Sequence, residues 1–579
     1  MSKTKPMTAF FDDKITKLDS VADDKRPVFG IDLGTTNSAI SVIQSGDHPV
    51  AITLENGKKT MPSCVMWKDG KFIVGEEAYE NRHLTNVVYS VKRHMEDVNA
   101  TVTFRETNTK QLEMTPAEVS AEILKGLVEK TGGMYGEIKD VVVSVPAYFD
   151  QNGRNATKEA CNLAGLNLID MINEPTAAAL CYDLKVDDVQ DVIVFDLGGG
   201  TFDVTLARVT NTSSDDSEDD IYGFDETSSD AKLVQCLAVL GDPHLGGDDI
   251  DHELYNILCD KIKEQGFSST KFLPSDREEI ILRLERRKKE GTNSTYNLHI
   301  DATTEDGVKV ETVVSITPDD FRAALLPYYK RCKKIVDQVL TSVPNNANMM
   351  LLVGGSTKHQ MLIEMLERDY PQFQLNPGVG QDLAVSLGAS IKGKISKFGD
   401  DAVQIFDVLP ITIGIRTGDT LSQLLTAGTT LPATQTIPFT TVVDNQTSMA
   451  VEVLQGNTSN PDDCVSLGML TLQDIPKKPA GEPNLFVTLT VNANSLLTCS
   501  AKIDGRVEQL ELDLTGDQNT IKDYSREEKL IRRWTKVAES MEGEDKDTLL
   551  ELIKGYPDIS SRKDIMSFIR SHTEVLRTE

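Results

Sequence analysis

Two short segments of the chain carry the residue types that bind a phosphate group. The first reads FGIDLGTT at 29–36, and the second reads FDLGGGT at 195–201. In each, an apolar run ends in Asp-Leu-Gly, threonine follows, and a second β-rich run begins, so each is a predicted hairpin. Glycine lets backbone N–H groups approach an oxyanion closely, and threonine adds a hydroxyl donor. The aspartates, Asp32 and Asp196, can hold a hydrated divalent cation. Two such turns facing each other would grip a polyphosphate from both sides.

The repetition is what makes this interpretation specific. A single Asp-Gly turn is more often an ordinary surface turn than a phosphate site. Here two copies place glycine and threonine at the same positions after the aspartate. The sequence therefore predicts a phosphate clamp built from two related halves.

Other candidate residues are ambiguous when taken alone. Glu174 opens an alanine-rich segment, where it is either a helix-start carboxylate or a third carboxylate near a metal or attacking water. Lys92 alone reads as a solvated surface lysine. The glycine pairs at 246–247 and 354–355 are common loop punctuation. The basic cluster at 286–289 reads first as a charged helix face.

The elements around these residues indicate two α/β halves with a cleft between them. From about residue 28 to 398, β-rich runs alternate with helical patterns. The apolar runs at 141–145 and 349–353 are predicted buried strands. Asp150 is the predicted N-cap of a helix that follows the first of them.

The pattern changes after about residue 400. An apolar connector at 403–409 leads into an almost entirely β region that extends to about 514, which predicts an antiparallel sandwich or barrel of seven or eight short strands. Asp504-Gly505 reads as a hairpin turn. A capping box at 525–528 then opens a tail of three short predicted helices.

Composition limits the class of protein. The chain has 579 residues, of which 39% are hydrophobic and 26% charged, and its net charge is −30. Such an acidic balance argues against nucleic acid or an anionic membrane as the main partner. No apolar run approaches the roughly 20 residues that span a bilayer.

The start of the chain and the cysteines indicate the cellular compartment. The start of the chain lacks the apolar core of a secretory signal and reads as a loose extension. The eight cysteines form no C-x-x-C pair, which favours reduced, buried thiols and a cytoplasmic location. The acidic, serine-rich stretch at 211–230 is a predicted loop.

Several longer strings resemble those of the 70-kilodalton heat-shock chaperone family of the DnaK type. They are GIDLGTTNS (30–38), VSVPAYFD (143–150), INEPTAAAL (172–180), FDLGGGTFDV (195–204), HLGGDDID (244–251), LLVGGSTK (351–358) and DNQ…VLQG (444–456). They extend across both predicted domains, from about 28 to 520. The wider actin and sugar-kinase superfamily would explain the two hairpins but not the β domain.

The resemblance implies a multidomain fold. Residues 27–400 would form an actin-like α/β ATPase domain with two ribonuclease-H-like lobes, after an N-terminal extension at 1–26. A linker at 401–409 would join it to a β-sandwich peptide-binding domain at 410–520. A short helical lid would occupy 521–579.

The resemblance also implies roles for individual residues. The catalytic group would be Asp32, Lys92, Glu174, Asp196 and Thr201, with Lys92 orienting the attacking water or stabilising charge on the γ-phosphoryl. The phosphates of ATP or ADP would lie against Gly34, Thr35, Thr36, Gly198, Gly199, Gly200, Thr201, Gly246, Gly247 and Gly355. Hydrated Mg²⁺ would be held by Asp32, Asp196 and Glu174, and a monovalent cation such as K⁺ by Asp203. The adenosine side would comprise Glu285, Lys288, Lys289, Gly354, Ser356, Lys358 and Asp382.

The β domain would take up extended apolar segments of unfolded proteins. Its predicted groove residues are Phe439, Val442, Met449 and Val451, for which ordinary core packing is an equally good interpretation. ATP and ADP states would be transmitted through the linker residue Asp407. J-domain co-chaperones and nucleotide-exchange factors are the implied partners.

The chain departs from the family pattern at several positions. Lys289 and Lys358 stand where arginines usually flank adenine, and lysine cannot stack as a planar guanidinium does. Gln404 interrupts a linker that is usually leucine-rich, and Asp170 replaces a usually basic residue associated with J-domain docking. The helical tail is about half the usual length. The expected function is an ATP-hydrolysing chaperone; the alternatives are a noncatalytic holdase or exchange helper, and a structural assembly protein.

Overall fold

The structure is a computed structural model, and it describes most of the chain. The described residues are 26–43, 48–107, 109–133, 135–181, 189–212, 231–267, 269–376, 380–399, 403–472, 475–493, 497–503 and 506–513. The predicted N-terminal extension, nearly all of the acidic stretch, the Asp504-Gly505 turn and the helical tail lie outside them.

The first lobe begins with a hairpin and continues into an α/β region. Its elements are β1 (Phe29–Leu33), β2 (Asn37–Ile43), β3 (Pro49–Ala51), β4 (Met61–Pro62), β5 (Cys64–Lys68), β6 (Lys71–Val74), α1 (Glu76–Glu80), β7 (Val87–Tyr89), β8 (Val102–Arg105), β9 (Gln111–Met114), α2 (Pro116–Glu129), β10 (Asp140–Val145), α3 (Gln151–Leu163), β11 (Asn167–Asn173) and α4 (Glu174–Cys181). The main sheet has the order β11-β10-β1-β2-β3, and β4 also pairs with β2. Strands β1, β10 and β11 are parallel to one another, whereas β2 is antiparallel to both of its neighbours, β1 and β3.

The second lobe repeats this arrangement. Its elements are β12 (Val189–Leu197), β13 (Phe202–Thr212), β14 (Ala231–Asp242), α5 (Gly247–Glu264), α6 (Pro274–Glu290), β15 (Tyr296–Thr303), β16 (Lys309–Ile316), α7 (Pro318–Ser342), β17 (Met349–Val353), α8 (Gln360–Asp369), β18 (Gln374–Asn376) and α9 (Ala384–Phe398). The order β18-β17-β12-β13-β14 and the strand directions match those of the first lobe. The predicted duplication is therefore confirmed.

Two helices join the lobes by packing across them. Helix α4 follows the first sheet but contacts strands of the second, whereas α9 follows the second sheet and contacts strands of the first. The two helices also contact each other, and the apolar cluster around them contains side chains of both sheets. The approach requires glycine, because a Cβ on Gly30 would overlap the α9 backbone and one on Gly388 would overlap the α4 backbone. This contact fixes the cleft between the lobes.

The predicted connector contributes a strand, β19 (Val403–Phe406), which lies parallel to β14 at the edge of the second sheet. The β domain follows, with β20 (Ile413–Thr417), β21 (Thr420–Leu425), β22 (Ala433–Phe439), β23 (Met449–Gln455), β24 (Val465–Leu472), β25 (Leu485–Val491), β26 (Leu497–Ile503) and β27 (Arg506–Asp513). These form two antiparallel four-stranded sheets, β21-β20-β23-β24 and β22-β25-β26-β27, over one apolar core. The predicted sandwich of short strands is confirmed, and β26 pairs with β27 in the antiparallel direction.

Local signals in the sequence account for several element boundaries. Asp150 caps α3, because its side chain accepts a hydrogen bond from the Gly153 N–H, as predicted. None of the eight cysteines forms a disulfide bond, and most of them are buried. None of the helices in the described part of the chain is long and apolar enough to cross a bilayer.

Candidate functional site

The two glycine–threonine turns face each other across the cleft. The turn after β1 brings Thr35 and Thr36 against the turn after β12, such that a Cβ on Gly199 would overlap the Thr36 hydroxyl and one on Gly200 would stand 2.5 Å from Thr35 Cγ2. Larger residues would therefore push the turns apart. The predicted face-to-face arrangement is confirmed.

A third glycine turn supports the second one from behind. The N–H groups of Gly247 and Asp248 donate to the carbonyl oxygens of Gly198 and Gly199, at 3.0 and 2.8 Å. The Ser356 hydroxyl donates to the Gly198 carbonyl at 2.8 Å. The turn between β12 and β13 is thus held from two directions before any ligand binds.

A cavity of about 600 Å³ opens between these turns. Its wall brings together most of the predicted site residues. They are Asp32, Gly34, Thr35, Thr36, Lys92, Glu174, Asp196, Gly198, Gly199, Thr201, Gly247, Glu285, Lys288, Lys289, Gly354, Gly355, Ser356, Lys358 and Asp382. Gly200, Gly246 and Asp203 do not form part of the wall; the two glycines pack against Thr35 and Gly199.

Lys92 is buried, contrary to what its neighbours in the sequence would suggest. It lies in a short 3₁₀ turn, Val91–His94, and its ammonium pairs with the Glu174 carboxylate. The Phe149 ring lies 5.9 Å from the Lys92 Nζ. Glu174 opens helix α4 as predicted, so its backbone placement follows from the strand-to-helix junction. A buried ion pair is thereby aimed into the cleft.

The aspartates at the strand ends are buried close to another carboxylate, and nearby positive charge does not balance them. Burial, reinforced by the charge of Glu174, raises the pKa of Asp32 to about 7, although Lys92 and a 2.9 Å hydrogen bond from Ser144 oppose the shift. Burial and Glu174 also hold the pKa of Asp196 well above its usual range. The pKa of Asp203 rises to about 8 for the same reasons. A bound cation would relieve this excess of negative charge.

The donor set suits a hydrated metal ion rather than one bound directly by several side chains. Among the described residues, no group of three or more His, Cys, Asp or Glu side chains is already arranged around a metal position. Asp32, Asp196 and Glu174 nevertheless share one cavity wall and one electrostatic environment. Mg²⁺ is bound through one or two carboxylates and retains several of its waters, so this set of carboxylates fits it.

The predicted adenosine side forms a network of ion pairs on helix α6. Burial disfavours ionisation of Glu285, but the charges of Lys289 and Arg82 outweigh it and lower its pKa to about 2. Lys288 donates to the Gly247 carbonyl at 2.6 Å and to Asp251 at 2.7 Å. Lys358 pairs with Asp382, and both residues line the same cavity.

Two charged residues beside the cleft escaped the sequence analysis. Arg82, from the first lobe, pairs with Glu285 of the second and lies 5.2 and 5.3 Å from the ring centres of Tyr79 and Tyr89. Arg93 donates to Asp249 at 2.7 Å and lies beside the second phosphate turn. No motif marks either arginine. Only the proximity of Arg93 to Lys92 offers a sequence signal.

The linker aspartate is buried against the first lobe. Asp407 accepts a 2.7 Å hydrogen bond from the Thr176 hydroxyl, two residues after Glu174. Burial raises the Asp407 pKa, and Thr176 and the nearby Arg154 partly offset this. The Gln151 N–H also donates to Gln455 of the β domain at 3.1 Å. The linker therefore contacts helix α4, and the β domain contacts helix α3 of the same lobe.

The four predicted groove residues do not share one environment. Val442 is 83% exposed, and Phe439 and Met449 are half-buried against the sandwich core. Val451 is only 3% exposed and belongs to that core. Val442 and its neighbour Val443, which is 62% exposed, are apolar side chains that a ligand could reach without rearrangement.

The fold and cleft define a class: an actin-like protein whose two α/β lobes enclose a cavity lined by glycine–threonine turns, followed by a β-sandwich. A sequence model for the family described as Hsp70 protein matches residues 28–215 and 227–552, which is most of the chain. The chain belongs to the Hsp70 family. Membership supports a chaperone with nucleotide-dependent function, in a family whose members are ATPases.

Proposed function

We propose that the protein is an ATP-hydrolysing chaperone that binds extended apolar segments of unfolded polypeptides. The observation that carries the proposal is the pair of glycine–threonine turns facing each other across a cavity that also holds the buried Lys92–Glu174 pair. The buried Lys92 favours hydrolysis over binding alone, because an ammonium held at this point can stabilise charge that develops on the transferred phosphoryl group.

The turns would bind the phosphates through backbone N–H groups and the hydroxyls of Thr35, Thr36 and Thr201. Lys92 would orient the attacking water and stabilise charge on the γ-phosphoryl, while Glu174 holds the ammonium in place. Positioning and electrostatics of this kind supply most of the rate enhancement in phosphoryl transfer.

Hydrated Mg²⁺ would be held by Asp32, Asp196 and Glu174, and K⁺ beside Asp203. When bound, Mg²⁺ neutralises phosphate charge during transfer. The raised pKa values of these aspartates support this assignment, because an added cation favours their ionised form.

Coupling between the domains would run through the linker. Strand β19 extends the second sheet, and Asp407 binds Thr176 on the helix that Glu174 opens. Nucleotide would bind with different affinities to two states, one with this strand docked and one with it released. Any such switch requires this difference in affinity. Peptide affinity would follow, with segments binding around Phe439, Val442 and Met449.

Partner and compartment assignments complete the proposal. A J-domain co-chaperone and a nucleotide-exchange factor would act on the cycle in the cytoplasm. Asp170 is buried and pairs with Lys392 at 3.2 Å and with Ser396 at 2.8 Å. Any J-domain would therefore meet a position whose charge is already satisfied within the chain.

The test is single-turnover ATP hydrolysis by the full chain, with and without an extended apolar peptide. We expect hydrolysis that peptide accelerates. Peptide binding without hydrolysis would instead identify a noncatalytic holdase. Stoichiometric incorporation into a larger particle, with no response to peptide, would identify an assembly protein.

A further inference from the structure

The cavity wall contains a histidine that none of the roles above uses. His359 follows the short turn Gly355–Lys358 and precedes helix α8. Its side chain lines the cavity together with Lys288 and the buried apolar residues Phe321 and Leu325. The imidazole is partly buried in a wall that is otherwise rich in charged groups.

The ring is neutral and lacks a hydrogen-bond partner. Burial and the adjacent charge of Lys288 lower the His359 pKa to about 4. Its Nδ1 is enclosed and unpaired. Within the described residues, no hydrogen bond involves Nε2 either. A neutral imidazole has one N–H and one bare nitrogen, so one donor and one acceptor remain to be satisfied.

The enclosed position of Nδ1 determines which nitrogen should carry the proton. An orphaned N–H is rarer in proteins than an under-satisfied acceptor, so the enclosed Nδ1 is better left bare. The proton then resides on Nε2. The ring would present a neutral N–H donor to whatever occupies this part of the cavity.

This part of the cavity is distinct from the phosphate end. The charged groups that act on the His359 pKa are Lys288 and Glu364, and none of the carboxylates around Lys92 is among them. Phe321 and Leu325 line the same cavity, and they suit an apolar ring better than a phosphate. An uncharged ligand portion with acceptor atoms at its edge matches these neighbours, and a nucleobase has that chemistry.

We propose that His359 donates a hydrogen bond from Nε2 to an acceptor atom of the nucleobase and so contributes to base selectivity. The inference rests on the proposed function, since it assumes that a nucleotide binds with its phosphates at the two turns.

The test compares two substitutions of similar length in the full chain. His359→Gln keeps a polar amide group near the position of Nε2, whereas His359→Met is apolar. Calorimetric titration with Mg²⁺–ADP should show a three- to tenfold weaker affinity for His359→Met, the range expected for one neutral hydrogen bond. His359→Gln should remain within twofold of the wild type. Inorganic tripolyphosphate, which has no base, should bind all three chains equally.

The outcomes separate the two proposals. Unchanged ADP affinity in His359→Met, equal weakening for tripolyphosphate, or failure of His359→Gln to retain affinity would overturn the role of His359 while leaving nucleotide binding intact. Failure of the wild-type chain to bind ADP would contradict the proposed function itself, and this inference with it.

A second readout identifies the acceptor. ADP analogues in which carbon replaces ring nitrogen 1, 3 or 7 should include one that loses affinity for the wild type but not for His359→Met. If every analogue loses affinity equally for the two chains, His359 does not donate to a ring nitrogen of the base, and the proposal is wrong.

Discussion

The two lobes share one sheet order but end differently at one edge. In the first lobe, the outer strand β3 has only three residues, Pro49–Ala51. In the second, the equivalent β14 has twelve, Ala231–Asp242, and the linker strand β19 pairs with it. The shared part of the topology provides two matching glycine–threonine turns. The part that differs provides an edge that the linker strand extends. In the proposed function, phosphate binding depends on the shared part, and coupling between the domains depends on the part that differs.

The lobes also divide the chemistry unequally. Lys92 and Glu174 both belong to the first lobe, whereas the charged network on α6 and the turn at Gly355 belong to the second. The substitutions below test this division between the lobes and the contacts that join them.

The largest effect is expected at the first lobe's buried lysine. Lys92→Ala should lower the single-turnover rate of ATP hydrolysis by about 10²–10³, as for loss of one preorganised charge-stabilising group. Lys125→Ala, an exposed lysine of the same lobe, is the control and should leave the rate unchanged. A rate within twofold of the wild type in Lys92→Ala would mean that this lobe does not supply the catalytic charge.

Substitutions at two equivalent strand positions should destabilise the protein in opposite ways, one by overpacking and the other by leaving a cavity. Gly30→Ala would force a Cβ into the α9 backbone, whereas the equivalent residue of the second lobe is the buried Val194, where Val194→Ala removes methyl groups. We expect about 1–3 kcal/mol of destabilisation from overpacking in the first case. The second should cost about 2 kcal/mol from lost burial and an added cavity.

Denaturant unfolding of both variants measures the difference. The overpacked Gly30→Ala chain should also lose nucleotide affinity, because the lobes would be pushed apart. Val194→Ala should lose stability alone. Equal ADP affinity in both variants would show that the α4–α9 contact does not set the cleft.

The arginine that bridges the cleft should control nucleotide release. Arg82→Ala removes a buried partner of Glu285 and its stacking on two tyrosines, so ADP should dissociate about tenfold faster. Arg283→Ala is the control, since Arg283 lies on the same helix but donates to the His299 carbonyl of its own lobe, at 2.7 Å. Stopped-flow release of a fluorescent ADP measures both. Equal acceleration in the two variants would show that bridging the lobes has no special effect.

The smallest effect is expected at the linker. Asp407→Asn keeps an acceptor for Thr176 but loses the charge that faces Arg154, so docking should weaken by about 1 kcal/mol. Peptide should then accelerate ATP hydrolysis several-fold less than in the wild type, with ATP affinity unchanged. Undiminished stimulation by peptide would count against coupling through β19.

The sequence predicted those features that depend on local pattern. The hairpins, the strand at 349–353, the Asp150 cap and the Glu174 helix start each follow from residues close together in the chain. The resemblance to a known family added the site residues, most of which the cavity wall brings together.

What the sequence did not predict depends on contacts between distant segments. Arg82 acquires its role only when the first lobe meets Glu285, some 200 residues later. His359 matters because of the wall that surrounds it. The strand at 403–406 read as a connector because four apolar-rich residues without an obvious partner give no sign that β14 offers an edge.

The account is tested most directly by calorimetric titration of the full chain with ADP in the presence of Mg²⁺. Matched glycine–threonine turns closing on one phosphate chain predict a single nucleotide bound per protein molecule. A titration of folded protein that produces no heat of binding, with no nucleotide retained on equilibrium dialysis, would contradict it.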